Sequence, residues 1–164
     1  MTRVLVAVAS RHGATREIAE AVARTLRDEG LDVHLADAED VQDVSGFDGV
    51  VVGSAVYVGR WLEPARDLVD EHADDLAGRP TWLFSSGPIG DPPKPVAEDA
   101  VQIAEIAELV HARDHRLFSG KLDRSTLGFG ERAVVLAFRA PDGDFRDWAE
   151  IAEWSRGIAA TLRA

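Results

Sequence analysis

The chain has 164 residues, a net charge of −11 and no cysteine. Without cysteine there is no disulfide, no thiolate metal site and no cysteine nucleophile, and the acidic balance argues against general nucleic-acid binding, which needs a positive surface. That balance fits either a plain acidic surface or a protein that docks on a basic partner.

The length suits one domain over 1–164 with a real core. No apolar run is long enough to span a bilayer, and the N-terminus enters a strand within three residues, so no signal peptide and a cytoplasmic location are expected. Val4 to Ala9 is a continuous apolar run that ends abruptly. Ser10, Arg11, His12, Gly13, Ala14 and Thr15 come next, and then Ile18, Ala21, Val22, Thr25 and Leu26 recur at helical spacing. The pattern is a buried strand, a tight loop and an amphipathic helix. Such a junction aims unpaired backbone N–H groups at one point, so the loop reads either as a phosphate site or as an ordinary strand-to-helix turn.

Gly30 stops the helix. Leu31 to Ala36 alternates apolar and polar, as an edge strand does, and an acidic connection runs from Asp37 to Asp43. Gly49 to Ala55 is continuously apolar and reads as a central strand. Trp61 to Leu76 reads as one helix, with Pro64 in its first turn and Leu62, Ala65, Leu68, Val69, Ala73 and Leu76 as its stripe. Pro80 to Ser85 is a fourth strand, and a Gly- and Pro-rich loop runs from Ser86 to Pro95. Val96, Ala100, Ile103, Ala104, Ala107 and Val110 mark a further helix, and Arg116 to Gly120 a short fifth strand. Asp144 is expected to cap a last helix that buries Trp148, Ala152, Ser155, Ala159 and Leu162.

Strict alternation of strands and helices implies an α/β fold of three layers, a parallel sheet with helices on both faces. Buried first and third strands and an edge-like second strand give the order 2-1-3-4-5, with the ligand at the switch between strands one and three. The loops after strands one, three and four then converge. The second loop offers Ser54, Ala55, Val56 and Tyr57, and a flat aromatic there can stack on a planar ring. The third offers Ser86, Gly87, Pro88 and Ile89. Trp61, at the start of an apolar stripe, is better placed for the core. A receiver domain is excluded, because strands one and three do not end in Asp.

Three segments, Ser10-Arg-His-Gly-Ala-Thr-Arg-Glu-Ile-Ala19, Gly53-Ser-Ala-Val-Tyr57 and Gly143-Asp-Phe-Arg-Asp-Trp148, resemble the flavodoxin-domain family. Within it they are nearest to the menaquinone-dependent protoporphyrinogen IX dehydrogenase-like group. Ser10, Gly13 and Thr15 fall on the family's phosphate-loop pattern, with His12 where that pattern usually has Thr. Tyr57 falls where the family packs an aromatic on the flavin, four residues after Gly53. The third loop has no aromatic, which leaves Pro88 and Ile89 as an apolar lid. The resemblance implies non-covalent FMN, held by the three loops. It also implies either a dehydrogenase acting on a porphyrin or quinone substrate, or an electron carrier with only a redox partner protein.

Between the fifth strand and the last helix, residues 121–143 form an insertion longer than a connection needs. It mixes Lys121, Arg124, Arg132 and Arg139 with Leu127, Phe129, Val134, Val135, Leu136 and Phe138. The plainer reading is an inserted helix packed on the sheet with its arginines in water. The alternative is a docking surface for an amphipathic acidic substrate or for the inner face of a membrane. Arg11, His12 and Arg60 flank the expected flavin site, where positive charge favours the reduced, anionic flavin. No acid–base or nucleophilic constellation stands out, so no catalytic side chain is named. The five histidines show no metal-ligand spacing, and His111 and His115 are expected on the surface.

Overall fold

A computed structural model describes residues 1–57, 59–87, 97–122, 143, 144 and 146–164, with side chains excepted at 97–101, 121, 122 and 143. Strand β1 (Arg3–Ala9) is buried at every position from Val4 to Ala9, which an all-apolar run tolerates only when both sheet faces are covered. The same holds for the first six residues of β3 (Gly49–Tyr57) and for all of β5 (Thr81–Ser86). Strand β2 (Asp32–Asp37) begins with an alternating burial pattern and lies at the edge. With β6 (Asp114–Phe118), these strands form one parallel sheet in the order β2-β1-β3-β5-β6. This is the expected order, once a short extra strand, β4 (Arg60–Trp61), is counted against β3.

The two faces of the sheet give two cores. Val4, Val6, Val8, Val51 and Phe84 pack against α1 (Ala14–Asp28) and against the last helix, α5 (Trp148–Arg163). Leu5, Ala7, Val50, Val52 and Leu83 pack on the opposite side, under α2 (Glu63–Glu71), α3 (Ala73–Ala77) and α4 (Ala97–Leu109). Helix α1 ends as Gly30 leads one to expect: Gly30 N–H donates to Arg27 O at 2.9 Å and Leu31 N–H to Leu26 O at 3.2 Å, a Schellman motif. The inward face of α1 holds Ile18, Val22 and Leu26 as expected, completed by Ala19 and Ala23, with Ala21 and Thr25 on the flank.

Four expectations need correction. Trp61 to Leu76 is not one helix. Trp61 pairs antiparallel with Val56, and the helix starts at Glu63 and breaks at His72. Restarting at Ala73 moves Asp74 and Asp75 from a helix C-terminal half, where the macrodipole opposes them, to a first turn, where it favours them. The fifth strand starts two residues earlier than expected, because Asp114 pairs with Trp82. The cap of α5 is Asp147, whose Oδ1 accepts from Glu150 N–H at 3.0 Å, whereas Asp144 is held by Arg146. The buried face of α5 is accordingly led by Ile151, Trp154 and Ile158 with Ser155 and Ala159, and Trp148 is 44% exposed. Ile103 of α4 and Val110 just after it are buried as expected, but Ile106 takes the inward position and Ala104 is exposed. The expected positions Val96 and Ala100 lie outside the side chains described.

Candidate functional site

The register brings Ala9, Ser54 and Ser85 into one row at the C-terminal ends of β1, β3 and β5. The loops after these three strands therefore emerge on the same edge of the sheet. After β1, Gly13 takes a left-handed conformation (φ 87°) that only glycine adopts without strain. Its N–H donates to Ser10 Oγ at 3.1 Å, closing the loop, and the space where a side chain would stand is open. No side chain caps α1, and the N–H groups of a helix's first turn have no partner within the helix. Thr15 is buried, Ala14 half-buried, and Arg11 and His12 lie on the surface.

The second loop is a hairpin, since β3 continues through Tyr57, which pairs with Arg60 of β4. The Arg11 guanidinium lies over the Tyr57 ring, 4.3 Å from its centre, so loops one and two are joined by a cation–π contact. Loops two and three meet through backbone. Gly87 (φ 129°) lies so close to β3 that a Cβ there would stand 3.1 Å from Val56 O, and a Cβ on Gly120 would stand 3.0 Å from the Gly87 Cα. Ser86 is buried. Pro88 and Ile89 lie outside the described residues, as does the insertion between 123 and 142. The ends of the insertion are paired: β7 (Lys121–Leu122) runs antiparallel to β8 (Gly143–Asp144).

Trp61 is buried, as expected, and anchors the hairpin. Its backbone N–H donates to Gln102 Oε1 at 2.6 Å and its indole Nε1–H to Ser85 Oγ at 2.7 Å. Ser85 Oγ lies 2.8 Å from His115 Nε2. The surface expected for His115 is thus corrected: the earlier start of β6 turns its ring inward toward Ser85. Burial pushes the His115 pKa below the ordinary imidazole value, and the neighbouring Asp114 opposes the shift. An indole can only donate, so the Ser85 hydroxyl proton is left for Nε2, the arrangement a neutral imidazole satisfies.

These loops suit a phosphorylated, planar ligand: an open helix N-terminus for the anion and a tyrosine on the neighbouring strand end. The family model of the flavodoxin domain matches residues 5–147. The chain belongs to the flavodoxin domain family. Membership implies a flavin cofactor, and the uncapped α1 N-terminus beside Gly13 fits the phosphate such a cofactor carries. Solved structures agree on the flavodoxin fold. A flavodoxin from the domain Archaea superposes with a TM-score of 0.69 at 19% identity, covering 99% of this chain and 100% of that one. Rubredoxin oxygen:oxidoreductase from Desulfovibrio gigas gives 0.66 at 16% identity, covering 98% of this chain and 36% of that one. In sequence, the protoporphyrinogen IX dehydrogenase (quinone) of Escherichia coli strain K12 is 27% identical over 85 residues, which are 51% of this chain and 47% of that enzyme. This flavodoxin-domain chain therefore spans about half the length of the curated relatives it matches. Among the described residues, no helix is long and apolar enough to cross a membrane.

Sequence reasoning missed Arg146. Its side chain is 4% exposed, forked onto Asp144 and in contact with α1. Its partners on α1 lie far away in sequence, so spacing carried no signal for it. For the Asp147 cap a local signal does exist, Glu150 three residues on, but the expectation of Asp144 as the cap passed over it.

Proposed function

We propose that the protein binds FMN non-covalently and is a flavin-dependent dehydrogenase of the protoporphyrinogen-oxidising, quinone-linked type. The observation that carries the cofactor is the uncapped N-terminus of α1 with Gly13 in the left-handed conformation beside it. In this reading Ser10, Arg11, His12, Gly13, Ala14 and Thr15 hold the phosphate through backbone N–H groups and the Ser10 hydroxyl. Ser54, Ala55 and Val56 present Tyr57 to one face of the ring. Ser86 and Gly87 offer backbone groups to its polar edge, and Pro88 and Ile89, by the resemblance, cover its other face. Bound FMN supplies the hydride and electron chemistry, and the protein positions it. No side chain here is assigned as a catalytic acid or base. The apolar and basic residues of the 121–143 insertion suit a porphyrin, a quinone or a peripheral membrane contact at the cytoplasmic face.

The partial match to the Escherichia coli dehydrogenase supports the enzyme. The net charge of −11 supports a second reading, an electron carrier that docks on a basic redox protein and has no small-molecule substrate. An anaerobic assay of FMN-loaded protein with protoporphyrinogen and a quinone separates them. The enzyme reading expects turnover that needs both FMN and the quinone. Flavin reduction by a reductase partner, with no porphyrin formed, would leave the carrier.

A further inference from the structure

We infer that Arg146 is a positioning residue for the phosphate loop, acting through the Ala14–Thr15 peptide and through Glu17. The inference rests on the FMN reading and deepens it. Arg146 lies 132 positions from Ala14, yet its Nη1 donates to Ala14 O at 3.2 Å and to Glu17 Oε1 at 3.3 Å. Its Nε and Nη2 donate to Asp144 Oδ1 and Oδ2 at 2.8 and 2.6 Å, its backbone N–H donates to Asp144 Oδ1 at 3.1 Å, and its guanidinium lies over the Trp148 ring at 4.6 Å. A guanidinium with so little exposure is tolerated only when its donors are paired. Here the pairing ties the start of α5 to the first turn of α1.

Two consequences reach the phosphate site. Ala14 C=O and Thr15 N–H belong to one planar trans peptide and point in opposite directions along the helix. A charged donor on the oxygen fixes that plane with Thr15 N–H aimed out of the helix N-terminus, and it polarises the group so that the N–H donates more strongly. The second consequence concerns charge. Glu17 sits in the first turn of α1, where its carboxylate would repel a bound phosphate, and Arg146 pairs it. The forked guanidinium reaches Asp144 and α1 at once, which the single ammonium of a lysine does not.

The test titrates the full chain with FMN and with riboflavin, which lacks the phosphate, and reads the ratio of the two Kd values. The wild type is expected to prefer FMN. In Arg146→Gln the preference should fall by about tenfold or more, the scale of one charge-assisted hydrogen bond, through weaker FMN binding with riboflavin little changed. Arg146→Lys should fall in between, and adding Glu17→Gln to Arg146→Gln should restore part of the preference. Arg163→Gln, which loses the contact with Glu29 near the other end of α1, should leave the ratio alone. Because the ratio is taken on the folded fraction, a loss of stability does not mimic the effect. An Arg146→Gln protein that keeps the wild-type ratio, or that loses both ligands equally, would overturn the inference and leave the FMN reading standing. A wild type that binds neither flavin overturns both.

Discussion

Ser85 Oγ serves two partners on two other strands, the indole of Trp61 and the imidazole of His115, so one hydroxyl joins β4, β5 and β6 just below the mouth of the site. Replacing it leaves a buried indole N–H and a half-buried imidazole without their partner at once. Ser85→Ala is expected to cost about 1–3 kcal/mol, the penalty for leaving a buried group unsatisfied, measured as a shift in the denaturation midpoint. An unchanged midpoint would show that water replaces the hydroxyl. His115 makes the same network sensitive to pH. Its pKa in the folded chain is lowered by burial. Below the ordinary imidazole value of about 6.5 the unfolded chain therefore takes up a proton that the folded chain resists. Stability contributed by His115 is thus complete above about pH 7 and is lost as the pH falls from about 6.5 toward the lowered folded value. A His115→Gln variant should show a flatter fall in stability across that window than the wild type. Parallel curves would mean that the ring is not held neutral.

At the scale of elements, the continuous apolar strands were legible because both faces of a central parallel strand are covered. Val4 to Ala9 and Gly49 to Ala55 could therefore be placed from composition alone. The helix ends were not. Asp144 and Asp147 both precede the last helix. Asp144 is claimed by Arg146, a tertiary contact no local pattern encodes, while Asp147 faces the Glu150 amide. Asp147→Ala is accordingly expected to destabilise the protein by about 1 kcal/mol through the lost cap, a drop in Tm of about 2–4 °C for a chain of this size. A loss no larger than that of an exposed control such as Glu153→Ala would show that the cap contributes nothing. The break at His72 was hidden for a related reason: the apolar stripe runs through it unbroken, and only the placement of acids against the dipole marks the restart. Likewise, the convergence of three loops at one edge of the sheet was legible because each comes directly after its strand, whereas the inward turn of His115 depended on the pairing of Asp114 with Trp82.

At the scale of the molecule, the proposed FMN site would require a chain of net charge −11 to hold an anion. The fold meets this by local arrangement. Acids such as Glu63, Asp67, Asp70, Glu71, Asp74 and Asp75 are gathered on α2 and α3, while Arg11 and His12 stand on the loop after β1 and Arg60 on β4, beside the end of β3. In the proposed site, backbone N–H groups at α1, which carry no counter-charge of their own, would complete the anion's surroundings. Both functional readings require that this edge hold FMN. The most direct measurement is the visible absorbance of the purified protein, then titration with FMN while flavin and tyrosine emission are monitored. A flavin spectrum is expected, or saturable quenching on titration that is weakened by Gly13→Ala and by Tyr57→Ala. A colourless folded protein whose emission is unchanged by excess FMN would contradict both readings.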